Sequence, residues 1–258
     1  MIRAVKRIVN TALGCFGLRL IRRHPNPGMA VDPGLCRILD NLGVSIVFDV
    51  GAHTGEYATW LREIGYRGGI ISFEPQAEAF AALCERAMSD SSWKVRQLAL
   101  GDRDGEQLLN ISRNSVSSSF LPILPNILSV EPAIAGIGIE RVSVDTLDRI
   151  YSNLTDPAED KIFLKIDAQG YEPAVLAGGR EFLSRCVAVQ LELALLPSYQ
   201  NQPLLPEMIG LMRKNGFELV HLERGFWDHR TGYLIEADGI FVRAEMVQRD
   251  FPRSGSRK

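Results

Sequence analysis

From residue 35 onward, short apolar runs alternate with segments whose apolar residues recur every three or four positions. The runs indicate buried strands, and the three-to-four spacing indicates amphipathic helices. Regular alternation of the two predicts an α/β fold with a doubly wound, mostly parallel sheet. The last two runs, Phe217–Leu222 and Gly239–Val242, are separated only by a loop, so we expect a hairpin and an antiparallel last strand.

Five strands are predicted before that hairpin, an extra strand pair is predicted beside them, and a continuous helix is expected over Glu172–Leu183. The five strands are Ser45–Val50, Gly69–Phe73, Trp93–Leu100, Lys161–Ile166 and Ala188–Leu193, and the extra pair is Glu106–Ile111 with Arg141–Val144. Between the two strands of the pair lies a long segment that is poor in charge, and we expect it to form a lid.

The composition fits one large domain with an appendage, since 258 residues include 46% hydrophobic and 23% charged side chains. We divide the chain into a basic helix and linker over 1–34, the α/β domain over 35–248 and a disordered basic tail over 249–258. A net charge of −2 argues against a nucleic-acid partner. Four scattered cysteines form no metal or disulfide pattern and indicate a reducing, cytoplasmic location.

The small net charge hides a segregation, because residues 1–24 contain six basic residues and no acid. Their apolar residues recur at helical spacing, which predicts an amphipathic helix. Only residues 8–18 lack charge, too short a stretch to span a bilayer. Two interpretations stay open: peripheral contact with an anionic membrane, at its inner face, or packing on the protein's own domain or on a second subunit of a homodimer.

A glycine-containing turn follows the first predicted strand, in the sequence Val47-Phe48-Asp49-Val50-Gly51-Ala52-His53-Thr54-Gly55. Its G-x-x-x-G spacing departs from the dinucleotide fingerprint, and an acid in the turn would repel a pyrophosphate. Asp49 would instead suit a cationic amino group, such as that of S-adenosylmethionine. Glu74 ends the next strand, where a carboxylate can hold ribose hydroxyls. Together the two acids favour a nucleoside site at the carboxyl edge of the sheet.

Four motifs in this order resemble the FkbM family of S-adenosylmethionine-dependent methyltransferases. They are D-V-G-A-H-T-G from Asp49, F-E-P from Phe73, A-L-G-D from Ala99 and L-K-I-D-A-Q-G-Y-E from Leu164, and the likeness spans roughly residues 45–243. The resemblance implies the class I methyltransferase (Rossmann-like) fold with seven strands. It also implies O-methyl transfer to a hydroxyl of a sugar, glycan precursor or secondary metabolite.

The resemblance assigns cofactor binding to eight positions, through the first motif, a ribose-binding acid and two residues beside the adenine. They are Asp49, Gly51, Ala52, His53, Gly55, Glu74, Leu100 and Asp102. This chain departs from the family in two places. His53 stands where the family usually has Asn, and Gln169 stands where it usually has Glu, which removes a carboxylate near the expected active site.

Methyl transfer requires an aligned acceptor and a group that takes its proton. Asp167, after an apolar strand, is the leading candidate for that base, although it could equally cap the next helix. Lys165 lies on the same side of the strand and either pairs with a carboxylate or orients substrate. Glu192 interrupts an apolar run, which is costly unless the carboxylate is used or paired.

Substrate contacts are expected from Ser118, in a serine-rich segment that resembles one in the family, and from Asp238, ahead of the last strand. Asp167, Glu192 and Asp238 could together hold Mg²⁺, but no spacing demands it, and we predict no metal. The loop aromatic residue Tyr199 could stack on a sugar or serve only in packing.

Two other functions compete with methyl transfer. One is a non-catalytic binding module with a cofactor-binding fold, docked at a membrane by residues 1–24. The other, a nucleotide-linked oxidoreductase, is disfavoured by the G-x-x-x-G spacing and by Asp49.

Overall fold

A seven-stranded sheet with the strand order β3-β2-β1-β7-β8-β10-β9 forms the centre of the computed structural model, which describes residues 33–151 and 161–252. These strands are β1 (Ile46–Val50), β2 (Gly69–Phe73), β3 (Trp93–Arg96), β7 (Ile162–Ile166), β8 (Cys186–Ala194), β9 (Phe217–Arg224) and β10 (Glu236–Arg243). Strand β10 pairs antiparallel with both β8 and β9, whereas β1, β2, β3, β7 and β8 are parallel. The predicted hairpin and antiparallel last strand are confirmed.

A second sheet of three strands, in the order β4-β6-β5, contains the predicted extra strand pair. Its strands are β4 (Ala99–Leu100), β5 (Gly105–Ser112) and β6 (Gly136–Asp145). The predicted third strand over Trp93–Leu100 is therefore wrong in its extent, because the chain leaves the main sheet after Arg96 and pairs with β6 from Ala99.

Helices cover both faces of the main sheet. In chain order they are α1 (Pro33–Leu42), α2 (Glu56–Ile64), α3 (Ala77–Ala87), α4 (Leu147–Tyr151), α5 (Glu172–Ala177), α6 (Arg180–Arg185), α7 (Leu205–Lys214) and α8 (Ala244–Asp250). The predicted helix Glu172–Leu183 is two helices, because Gly178 and Gly179 lie against the neighbouring Gly101 carbonyl and Leu147 side chain, where a Cβ would collide.

Alternate residues of the strands enter two separate cores, which explains why the central strands are apolar on both faces. Phe48 and Leu164 pack with α4 to α7, whereas Val47 and Phe163 pack with α1 to α3 and α8. Burial on both faces leaves the strand ends as the place where polar side chains of this sheet can meet a ligand.

Two predicted domain boundaries shift by a few residues. Helix α1 begins at Pro33, inside the predicted linker, and α8 includes Arg249 and Asp250, which were assigned to a disordered tail. The predicted amphipathic helix of residues 1–24, the linker as far as residue 32 and the tail from 253 lie outside the described residues.

Candidate active site

A cavity opens at the carboxyl ends of β1, β2 and β7. Its lining has an apolar part and a polar part, here called the apolar wall and the polar wall, and the two acids among its residues are Glu74 and Asp167. The apolar wall includes Phe73, Leu98, Leu100, Leu109, Phe120 and Tyr171, and the polar wall includes His53, Gln76, Ser115 and Ser118.

The turn after β1 brings two strand ends into close contact. Gly51 has a φ of 72°, and a Cβ there would lie 1.8 Å from the carbonyl oxygen of Asp167. Only glycine fits this left-handed position. The missing Cβ makes room for the backbone of Asp167, and Gly51 also lines the cavity, as a cofactor-binding residue should. Gly55 allows tight packing at the start of α2, since a Cβ there would meet Leu83 and Trp93.

Glu74, in the polar wall, links its own F-E-P motif to the motif that begins at Asp49. Its Oε2 accepts a hydrogen bond from the backbone N–H of His53 at 2.8 Å, and its Oε1 accepts one from the N–H of Gln76 at 2.9 Å. Burial raises the pKa of Glu74 above its ordinary value, and the two backbone hydrogen bonds oppose that shift. Each oxygen retains a lone pair, so the carboxylate can still accept hydrogen bonds from a ligand.

Asp49 is fully buried and does not line the cavity. Its Oδ1 lies 3.1 Å from the Nζ of Lys165, and its Oδ2 accepts a hydrogen bond from Ser72. The expected direct contact between Asp49 and a cationic amino group is therefore wrong, because Lys165 already neutralises the carboxylate. The sequence could not show this pairing, since it joins residues of two different strands.

Lys165 connects the turn of Gly51 with Asp167. Its Nζ donates to the carbonyl oxygen of Gly51 at 2.9 Å and lies 3.6 Å from Oδ2 of Asp167. Burial lowers the pKa of Lys165, but the carboxylates of Asp49 and Asp167 outweigh this and hold it above its ordinary value. Lys165 was expected either to pair with a carboxylate or to orient substrate, and the structure shows the ion pair.

Gln169 bridges the two candidate catalytic carboxylates. Its Nε2 donates to Oδ1 of Asp167 at 2.8 Å and to Oε2 of Glu192 at 2.9 Å. Its Oε1 accepts a hydrogen bond from the hydroxyl of Tyr199 at 2.6 Å. Tyr199 is 1% exposed, so it is not free to stack on a substrate.

Asp238 lies opposite Glu192 in the pairing of β8 with β10, and not in a loop ahead of the last strand as expected. It accepts a hydrogen bond from Gln190 at 3.4 Å and does not line the cavity. Burial and the charge of Asp167 raise the pKa of Asp238 to about 6. Burial, followed by Glu236 and Asp167, raises the pKa of Glu192 well above its ordinary value. These side chains form an acidic region next to the cavity.

A serine-rich loop, residues 115–119, closes one side of the cavity. Ser115 bonds to Nε2 of His53 at 2.8 Å, and Ser118 accepts a hydrogen bond from Nε2 of Gln76 at 2.7 Å. Ser119 donates to the backbone oxygen of Gln169 at 2.7 Å. Part of the segment expected to form a lid therefore lines the cavity, and the hydroxyl of Ser118 is used to hold the loop.

Besides Asp49 and Gly55, two more of the residues assigned to the cofactor do not line the cavity. Ala52 is buried behind the turn, where its N–H donates to the Phe73 carbonyl. Asp102 has a carboxylate that is 46% exposed and lies 3.9 Å from Arg103, while Leu100 lines the cavity as expected. Sequence reasoning missed Gln76 and considered Tyr199 only for stacking or packing, because their roles depend on partners distant in the chain.

The sequence profile of the Methyltransferase FkbM domain matches residues 49–219, which include the turn of Gly51, Glu74 and the bridge of Gln169. The chain belongs to this family. It is an S-adenosylmethionine-dependent methyltransferase, so the predictions of family, fold class and cofactor are confirmed. A search of curated proteins found no match.

Several solved structures are similar to this FkbM-family chain. The 1,6-didemethyltoxoflavin-N1-methyltransferase of Burkholderia thailandensis, solved with S-adenosylhomocysteine, is 13% identical, with a TM-score of 0.46 and coverage of 93% of this chain and 88% of that one. Aeropyrum pernix fibrillarin with bound S-adenosyl-L-methionine is 12% identical (TM-score 0.44; coverage 78% and 66%). An rRNA methylase of Streptococcus thermophilus is 10% identical (TM-score 0.44; coverage 83% and 98%).

The cavity fits the cofactor of the family. A buried carboxylate at the end of β2 with free lone pairs suits ribose hydroxyls, and the apolar wall suits a flat base. Within residues 33–151 and 161–252, no group of three or more His, Cys, Asp or Glu side chains could hold a metal ion. In the same ranges, no helix has both the length and the apolar character that a membrane span requires.

Proposed function

We propose that this methyltransferase transfers its methyl group to a hydroxyl oxygen of a sugar, glycan precursor or secondary metabolite. The observation that carries the proposal is the position of Asp167. Its carboxylate lines the cavity at the carboxyl end of β7, is held by Gln169 and Lys165, and remains 34% exposed. It is thus the carboxylate placed to reach both the cavity and an acceptor entering from solvent.

When bound, S-adenosylmethionine supplies a methyl group on a positively charged sulfur. Transfer of this methyl group to the acceptor oxygen would leave the electron pair of the broken carbon–sulfur bond on the sulfur. Asp167 takes the hydroxyl proton, which makes it the general base. The positive charge of Lys165, 3.6 Å from Oδ2, holds the Asp167 carboxylate in place.

In this proposal, Glu74 holds the ribose hydroxyls, and Leu100 lies against the adenine. His53 and Ser118 contribute to the polar wall through the hydrogen bonds that hold Glu74 and the serine-rich loop. Glu192 supports Asp167 through Gln169, and Asp238 forms the acidic side that an acceptor would approach.

Calorimetric titration tests the cofactor and the base in turn. Folded protein should bind S-adenosylhomocysteine and neither NAD nor NADP, and absence of the first would refute the proposal. Asp167→Asn should bind S-adenosylhomocysteine with unchanged affinity. The variant should lose roughly 10²- to 10⁴-fold in transfer of radiolabelled methyl groups to a panel of sugars and metabolites, the contribution usual for a general base. Full activity of the variant would remove Asp167 from this role.

We also propose that residues 1–24 bind an anionic membrane surface, on the basis of their six positive charges and helical apolar pattern. Deletion of these residues should abolish sedimentation with vesicles that contain an anionic lipid. Equal sedimentation of the full and shortened chains would exclude this contact, and it would also exclude the membrane-docked binding module as an alternative function.

A further inference from the structure

The bridge between Asp167 and Glu192 uses every polar group of the Gln169 side chain. The two N–H bonds of the amide each reach one carboxylate, and the carbonyl oxygen accepts the Tyr199 hydroxyl. The amide thus points its donors toward the two acids and its acceptor toward Tyr199.

The backbone at Gln169 supports the same conclusion. Its φ is 53°, in the left-handed region, which a residue with a side chain adopts only at a cost in free energy. The hydroxyl of Ser119 bonds to its carbonyl oxygen at 2.7 Å, and only 8% of the residue is exposed. Strained backbone of this kind persists where the surroundings require it. Here the turn directs the amide into the space between the two carboxylates.

Two carboxylates close to one group repel each other unless a proton, a cation or a pair of hydrogen-bond donors lies between them. In this chain the donors come from an uncharged side chain that cannot titrate. A Glu at position 169 would lack donors when ionised and would place a third negative charge at the same point. Glutamate oxygens together with those of Asp167 and Glu192 are the ligands that a hard divalent cation prefers.

We propose that Gln169 is a positioning residue whose amide holds Asp167 and Glu192 in place and occupies the position that a bridging cation would otherwise need. The inference rests on the proposed role of Asp167 in methyl transfer. The tests below use neither cofactor nor acceptor, so they can fail while S-adenosylhomocysteine binding and methyl transfer succeed.

The first test converts the amide into a ligand. Gln169→Glu should bind Mn²⁺ at least tenfold more tightly than the wild-type protein in calorimetric titration, because three carboxylates then converge. Adding Glu192→Gln to this variant should remove the gain, and Gln169→Leu should show none. A folded Gln169→Glu protein whose Mn²⁺ affinity equals that of the wild type would overturn the proposal.

The second test does not depend on a metal. Glu192 faces the carboxylates of Glu236, Asp167, Glu172 and Asp238, and burial with these charges already raises its pKa. Gln169→Leu removes a donor that favours the ionised form, so the Glu192 titration observed by carboxyl ¹³C NMR should move to higher pH by about one unit.

A matched control is Gln107→Leu, since the Oε1 of Gln107 also accepts a tyrosine hydroxyl, that of Tyr171, but the amide bridges no acids. This variant should leave the Glu192 titration unchanged. An unchanged titration in folded Gln169→Leu, or an equal shift in the control, would overturn the proposal. Should Gln169→Glu fail to fold, this second measurement decides alone.

Discussion

The two sides of the cavity are built in different ways. On the side of β1 and β2, backbone groups carry the arrangement: the turn of Gly51 touches a carbonyl oxygen, and Glu74 accepts two backbone N–H groups. On the side of β7, β8 and β10, side chains carry it, through Gln169 and the buried carboxylates around it. A site held by backbone groups suits a cofactor, which stays the same, whereas a site held by side chains can be altered by single substitutions.

The largest effect is expected from Gly51→Ala, which tests whether the backbone side is rigid. A Cβ would lie 1.8 Å from the Asp167 carbonyl oxygen, and the φ of 72° adds strain. We expect the free energy of unfolding to fall by about 3 kcal/mol or more, with loss of S-adenosylhomocysteine binding. Chemical denaturation and calorimetry measure the two quantities.

Gly65→Ala is the control, because this glycine has a φ of 111° but nothing within 4 Å of the added Cβ. It should cost about 1–2 kcal/mol from strain alone and leave cofactor binding intact. Equal losses of unfolding free energy in the two variants would mean that the close contact between Gly51 and Asp167 can relax at little cost.

The contrast between the two sides also explains what the sequence could reveal. The turn of Gly51 and the acid Glu74 are local in the chain and follow strands whose apolar runs are easy to recognise. The positions of Asp49 and Tyr199 depend on partners far away, Lys165 and Gln169, that no local pattern connects. The same limit explains the misplaced third strand, whose last residues pair with β6 more than forty positions later in the chain.

The second prediction concerns Glu172, a buried acid on the side of the cavity that is built from side chains. Glu172 is 3% exposed, and its Oε1 accepts hydrogen bonds from the N–H groups of Ala168 and Gly170. Burial raises its pKa from 4.5 to about 7, against the effect of these hydrogen bonds. Between these pH values the folded protein retains a proton that the unfolded chain releases. The stabilising contribution of Glu172 is therefore full below pH 4.5 and is lost as the pH rises through about 7.

Glu172→Gln cannot lose that proton, and its amide oxygen can accept the same two hydrogen bonds. At pH 8 the variant should be more stable than the wild type by up to about 3 kcal/mol, and the difference should vanish near pH 4.5. Urea denaturation at several pH values measures the difference. A difference in stability that stays constant across this pH range would contradict the loss of a buried proton from Glu172.

A third prediction compares two acids that the sequence assigned to the cofactor. Glu74→Gln should weaken S-adenosylhomocysteine binding about tenfold, because one of two oxygens that accept backbone and ligand hydrogens is lost. Asp102→Asn should have no effect, since this carboxylate lies outside the cavity. Calorimetric titration of both variants distinguishes them, and a similar loss in Asp102→Asn would return that residue to the site.

The smallest effect is expected where the two sides meet. His53 belongs to the backbone side through its N–H to Glu74, and its ring reaches Ser115 of the serine-rich loop. His53→Asn should keep the turn, because Asn tolerates the φ of 48°, and should keep the backbone hydrogen bond to Glu74. The ring loses its bond to Ser115 and its 3.6 Å contact with Glu56, and of these two partners only Ser115 lines the cavity. The dissociation constant of S-adenosylhomocysteine should therefore rise two- to threefold, roughly 0.5 kcal/mol.

Ser115→Ala should have the same small effect as His53→Asn, because each removes one partner of the same hydrogen bond. The double variant should then lose no more than either single variant, since residues that act through one contact are not additive. Additive losses in a calorimetric double-mutant cycle would show that His53 and Ser115 affect the cofactor independently. In that case the serine-rich loop would not act through His53. The part of the site that is built from backbone groups would then extend no further than Glu74.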